Sequence, residues 1–131
     1  MARILIVDDD PDIREILRAF LPRHTTGHTY AFAESALEAQ ALMLGARETG
    51  QKFDLVLTDI QMPKMSGCDF ARWIRGEYAD DDVLILFLTA FGYSDEIEDC
   101  AKDVRVVANL TKPDDLMELG GCIDSALLAA Q

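Results

Sequence analysis

A chain of 131 residues and 14.5 kDa fits one domain with one core, and on folding it buries about two-thirds of its unfolded surface without disulfides or a structural metal. With 24 Asp and Glu against 12 Lys and Arg the formal net charge is −12, which argues against DNA, RNA or an anionic membrane as a direct partner, since nucleic-acid binding works by neutralising phosphates. Cations and basic protein surfaces suit it better. Cys68, Cys100 and Cys122 form no CxxC pair and no zinc-like spacing, and their odd number suits a reducing cytosol, so they are read as packing residues with some exposure allowed for Cys68. The N-terminal apolar run is too short for a signal peptide and no run of about 18 apolar residues occurs, so the expected location is cytoplasmic.

Residues 3–7, RILIV, are continuously apolar after the arginine and rich in β-branched side chains, as a strand buried on both faces must be. The run ends in Asp8, Asp9 and Asp10. Pro11 suits a first helical position, and Ile13, Ile16, Leu17, Phe20 and Leu21 recur at helical spacing through a segment that Pro22 and Gly27 close. Residues 28–32 make a weaker second strand, and Ser35 with Glu38 three residues on gives a capping box. Ala36, Leu37, Ala39, Ala41, Leu42 and Leu44 then make a second helix that ends between Gly45 and Gly50.

The third strand is predicted at residues 55–58, followed by Asp59 and a loop carrying Met62, Pro63 and Gly67. A helix follows over 67–75 with Phe70, Trp73 and Ile74 inward, and Asp80, Asp81 and Asp82 read as a solvated connection. Residues 83–88 are a wholly apolar fourth strand ending at Thr89. A short charged helix at 94–102 is anchored by Ile97 and Ala101, and a fifth strand at 106–110 leads to Thr111, Lys112 and Pro113. The last helix carries Leu116, Leu119, Ile123, Leu127 and Leu128, with Gly120 and Gly121 each weakening it by about 1 kcal/mol relative to Ala.

Five strands alternating with five helices imply an α/β fold with a parallel sheet, right-handed crossovers and helices on both faces. In such a sheet every strand's carboxyl end lies on one edge, which gathers Asp8, Asp9, Asp59, Thr89 and Lys112. Each has a plain alternative taken singly: a turn-forming aspartate, helix-capping aspartates, a backbone-bonded threonine, a surface lysine. Their joint occurrence at the ends of strands one, three, four and five points to a site. Crowded carboxylates raise one another's pKa unless a cation settles among them, and oxygen ligands favour Mg2+ or a similar hard ion over zinc.

The stretches ILIVDDDP, LVLTDIQMPKMSG, ILFLTAF and NLTKP together resemble the receiver domain of bacterial two-component response regulators, and they span nearly the whole chain. The resemblance implies a flavodoxin-like, doubly wound five-stranded sheet of order 2-1-3-4-5 and a single receiver domain over residues 1–131. It also implies that Asp59 accepts a phosphoryl group from a sensor histidine kinase or a histidine phosphotransfer protein, for relay to a downstream protein target. Asp8, Asp9, Asp59 and the backbone carbonyl of Gln61 would hold Mg2+, and Thr89 and Lys112 would meet the phosphoryl oxygens. The only reactions implied are the domain's own phosphorylation and dephosphorylation. A cis bond between Lys112 and Pro113 also follows from the family.

Departures from the family pattern are Asn109 where a Tyr or Phe is usual, Arg105-Val106 where Gly-Ala is common, and Asp114 in place of Phe. They put the usual output route through the fourth helix and fifth strand in question while leaving the acidic site intact. Phe91, two after Thr89, is expected to shield an acyl phosphate from water. Two other readings stay open: a phosphatase of the haloacid dehalogenase type using Asp8 of the strand-DxD pattern formed with Asp10, and a binding module of the same fold that is never phosphorylated. The chain is either a stand-alone receiver or part of a larger regulator.

Overall fold

A computed structural model describes residues 2–90, 94–112 and 116–131. The shielding role expected of Phe91, the cis Lys112–Pro113 bond and the substitution at Asp114 lie outside the described residues. In chain order the elements are β1 (Arg3–Val7), α1 (Pro11–His24), β2 (Thr29–Ala33), α2 (Ala36–Glu48), β3 (Leu55–Thr58), α3 (Gly67–Arg75), β4 (Leu84–Thr89), α4 (Asp95–Asp103) and β5 (Ala108–Thr111). A 3-10 turn at Leu116–Glu118 then leads into α5 (Leu119–Ala129).

The strands form one sheet in the order β2-β1-β3-β4-β5, every neighbouring pair parallel. Alternation along the strands divides the core. Leu5, Val7, Val56, Ile85 and Phe87 face Met43, Phe70, Ile74 and Cys100 on the α2, α3 and α4 side. Ile4, Ile6, Leu55, Leu57, Leu86 and Leu88 face Leu17, Leu21, Leu119 and Ile123 on the α1 and α5 side. Burial on both faces is why these strands read as unbroken apolar runs, and the fold is the doubly wound flavodoxin-like one that the sequence implies.

Several element boundaries differ from the sequence expectation for identifiable reasons. Helix α1 runs through Pro22 to His24, because a proline in the last turn forfeits one hydrogen bond there while the freed end is held by side chains. The Phe20 carbonyl meets His24 Nδ1 at 2.9 Å and the Leu21 carbonyl accepts from Thr25 Oγ1 at 2.7 Å. Helix α2 ends at Glu48, inside the expected interval, and buries Ala36, Ala39, Met43 and Ala46 while Leu37, Leu42 and Leu44 are exposed.

Asp80, expected to be solvated, is buried: its Oδ1 accepts from the backbone N–H groups of Asp82 (2.9 Å) and Val83 (3.0 Å), turning the chain into β4. Strand β5 starts two residues later than the apolar run because Val106 N–H still closes the end of α4, on the Ala101 carbonyl at 2.9 Å. Gly120 has a packing reason as well as a propensity cost, since a Cβ there would lie 2.6 Å from the His24 carbonyl oxygen at the end of α1.

Candidate functional site

Sheet hydrogen bonds extend one residue past the strands and so fix the side chains at the carboxyl edge. Asp8 N–H donates to Ala33 O (3.1 Å), Asp59 N–H to Val7 O (2.8 Å) and Lys112 N–H to Thr89 O (2.7 Å). Each functional residue is thus held by the neighbouring strand. The loop after β3 is closed by Gly67, whose N–H bonds Ile60 O at 2.8 Å; a Cβ at this position would come within 2.1 Å of the Asp59 carbonyl oxygen. No side chain is tolerated there, a requirement the sequence showed only as a loop glycine.

Oxygen atoms of Asp8, Asp9 and Asp59 all lie within 4.8 Å of one another, with Asp8 and Asp59 buried and Asp9 exposed at the mouth. Lys112 Nζ donates to Asp8 Oδ2 at 2.6 Å and to Asp59 Oδ2 at 3.3 Å. Gln61 N–H reaches Asp59 Oδ1 at 3.4 Å, so the edge of the site also includes Gln61. Thr89, fully buried at the end of β4, lies in register with Thr111 and is tied through its carbonyl to Lys112. The structure therefore brings together Asp8, Asp9, Asp59 and Lys112, with Gln61 and Thr89 bordering them.

Asp10 is different. Its Oδ1 accepts from Asp12 N–H at 2.9 Å, which makes it the N-cap of α1. The aspartate triplet thus divides into two acids for the cluster and one cap. Sequence reasoning passed over Arg14, whose Nη1 donates to the Asp8 carbonyl at 2.7 Å and steadies the turn into α1. An arginine one helical turn after an acidic triplet carries no distinctive signal.

Electrostatics at this edge are unsettled. Burial pushes the Asp59 carboxyl up to about 6; the charge on Asp8 adds to the rise, while the Lys112 ammonium and the Gln61 N–H act against it. Burial alone would lower Lys112, but its bonds to Asp8 and Asp59 carry it above the ordinary lysine value. The three carboxylates, two of them sharing the Lys112 ammonium, are a hard-oxygen cluster that can hold a metal ion.

A doubly wound sheet with an acidic carboxyl edge and a lysine at the end of β5 defines a class of signalling protein. The family model described as "Response regulator receiver domain" matches residues 4–123, and the chain belongs to that family, the receiver domains of two-component signalling rather than of metabolic enzymes. The response regulator receiver protein CpdR of Brucella abortus is 34% identical over 132 residues, covering 99% of this chain and 100% of that protein. The transcriptional regulatory protein AruR of Pseudomonas aeruginosa is 35% identical over 82% of this chain and 43% of its own length. The response regulator protein PilR of the same organism is 37% identical over 95% of this chain and 26% of its own length. The chain thus spans under half of those two regulators. Among solved structures, the receiver domain protein from Clostridium thermocellum superposes with a TM-score of 0.81 at 27% identity, covering 98% of this chain and 96% of that one. Vibrio cholerae chemotaxis protein CheY4 gives 0.77 at 28% identity, over 100% and 99%. Among the described residues no helix is long and apolar enough to cross a membrane.

Proposed function

We propose that Asp59 is the phosphoacceptor of this receiver domain, taking its phosphoryl group from a sensor histidine kinase or a histidine phosphotransfer protein in the cytoplasm. The observation that carries the proposal is the convergence of Asp8, Asp9 and Asp59 within 4.8 Å, with Lys112 Nζ 3.3 Å from the Asp59 carboxylate. A carboxylate oxygen of Asp59 attacks phosphorus as the donor's P–N bond breaks and the imidazole leaves. Lys112, already on Asp59, is placed to follow the new phosphoryl oxygens, and the Thr89 hydroxyl at the end of the next strand offers them a donor. Asp8, Asp9, Asp59 and the Gln61 carbonyl would hold Mg2+, which when bound neutralises the phosphoryl oxygens. Attack needs Asp59 ionised, and in the metal-free site burial pushes its carboxyl up to about 6, so a bound cation that favours the ionised form would favour uptake.

Added charge on Asp59 then biases the neighbouring surface toward a second packing that a downstream protein reads. With Asn109 in place of an aromatic, either loop and helix rearrangement carries that change or the domain relays the phosphoryl group without it. The test is uptake of label from acetyl phosphate followed by borohydride trapping. Label on Asp59, dependent on Mg2+ and lost in Asp59→Asn, is the expected result. Label on Asp8 would establish the phosphatase reading instead, and no label at all would establish the binding module.

A further inference from the structure

Three free thiols lie among the described residues, and two of them share a site outside the acidic edge. Cys122 packs against the core on the α1 and α5 side, so the sheet separates it from the others. Cys68 stands in the first turn of α3 and Cys100 near the end of α4, two helices that pack against each other. Both line a cavity of about 810 Å3 between these helices and the loop after Asp59. Cys68 is half-buried and rests on the core cluster that contains Cys100, which is 1% exposed. The two thiols thus meet across one α3–α4 contact, where burial pushes the Cys100 thiol up to about 12 and the Cys68 side chain adds to the rise.

Access makes the pair asymmetric. A small oxidant entering the cavity meets the half-buried Cys68 before the enclosed Cys100. Cys100, enclosed and held protonated, is a poor first nucleophile but a close second partner. We infer that Cys68 and Cys100 form a peroxide-sensitive dithiol site in which Cys68 is oxidised first and Cys100 resolves it into an intrachain disulfide joining α3 to α4. In the first step the Cys68 sulfur attacks one peroxide oxygen, the O–O bond breaks, and sulfenic acid and water form. In the second the Cys100 sulfur displaces hydroxide, its proton leaves with that hydroxide as a second water, and the S–S bond forms. Two thiols lose two electrons and one hydrogen peroxide gains them. The inference is independent of phosphorylation.

The test treats the whole chain with a small excess of hydrogen peroxide and maps thiols by intact mass and non-reducing peptide analysis. Expected are loss of the mass of two hydrogens, one linked peptide pair containing Cys68 and Cys100, and full reversal by dithiothreitol. Cys122→Ser should cross-link as the parent does, while Cys100→Ser should leave a Cys68 sulfenic acid that dimedone captures. A disulfide involving Cys122, a cross-linked dimer, Cys68 driven to sulfinic acid with Cys100 still reduced, or three intact thiols would each overturn the inference. The parent map decides even if a variant fails to fold.

Discussion

Asp59→Asn should stabilise the apo protein, and by an amount that grows with pH. The carboxyl rises from 3.8 to about 6 on folding, for which burial is the first cause and the charge on Asp8 a further one. That rise of about two pH units corresponds to about 3 kcal/mol, of which about 1 kcal/mol is already lost by about pH 4.5. The folded-state value lies above the unfolded one, so the unfolded chain releases this proton first. The carboxyl's contribution to stability is therefore fully present below 3.8 and is lost as pH rises through about 6. Asparagine keeps the shape and carries no charge at any of these pH values. Urea denaturation of both proteins in chelator at fixed ionic strength, from about pH 4.5 to about pH 7.5, should show the variant gaining about 2 kcal/mol relative to the parent across that interval. Millimolar Mg2+ should then restore the parent far more than the variant, because the ion relieves the same crowding. A gap that stays constant with pH, or a variant less stable at the upper end, would refute the reasoning.

Asn109→Leu should raise stability by about 1 kcal/mol in denaturant titration, since the buried Asn109 Oδ1 has no hydrogen-bond partner among the described residues. Arg105→Gly should gain roughly 0.5 to 1 kcal/mol by the same measure, because Arg105 holds a φ of 58° at the end of α4 where glycine carries no steric cost. Gly67→Ala should lose about 3 kcal/mol and most label uptake, as the new methyl would strike the Asp59 carbonyl and force the β3 loop apart. Lys112→Ala should cut the rate of label uptake about 10²-fold. Titrated in chelator by NMR, its Asp59 carboxyl should ionise at higher pH than the parent's, because the Lys112 ammonium acts against the rise that burial causes.

The carboxyl edge was legible because period and spacing are enough to place it. Strands that are apolar throughout must be buried on both faces, a sheet of that kind must be parallel, and a parallel sheet gathers whatever follows its strands. Residues 55–58 and 67–75 were placed at their observed bounds, β3 being apolar up to Thr58 and α3 opening on a Ser66 side chain that caps Asp69 N–H. The inward face of α2 was not resolved, because alanines and leucines alternate along it and only the packed structure shows Ala36, Ala39 and Ala46 buried while Leu37, Leu42 and Leu44 stay exposed. Asp80 was misread for a similar reason: an acidic triplet looks solvated, and only the turn into β4 shows that one member is turned inward to hold backbone. The left-handed position at Arg105 was visible only as an oddity against the family's usual glycine; its salt bridge to Asp81 at 2.7 Å occupies the side chain but does not remove the backbone cost.

Charge at the site explains why a cation belongs to this chemistry rather than merely accompanying it. With Asp59 ionised, three carboxylates cluster about one ammonium, and burial first, then the charge on Asp8, raises the Asp59 carboxyl toward neutrality. Phosphorylation replaces the single charge of that carboxylate with nearly two, at the place where burial already disfavours one. Lys112 cannot supply the difference, because its shorter bond, 2.6 Å against 3.3 Å, is to Asp8. Among the described residues no second lysine or arginine pairs with Asp8, Asp9 or Asp59, and a chain with 24 acids and 12 bases keeps few in reserve. Arg14, the next cation along the chain, donates to the Asp8 backbone and leans toward Glu34 instead. If Asp59 is the phosphoacceptor, as proposed, a divalent ion held by Asp8, Asp9 and Asp59 would supply the positive charge that an added phosphoryl group needs there.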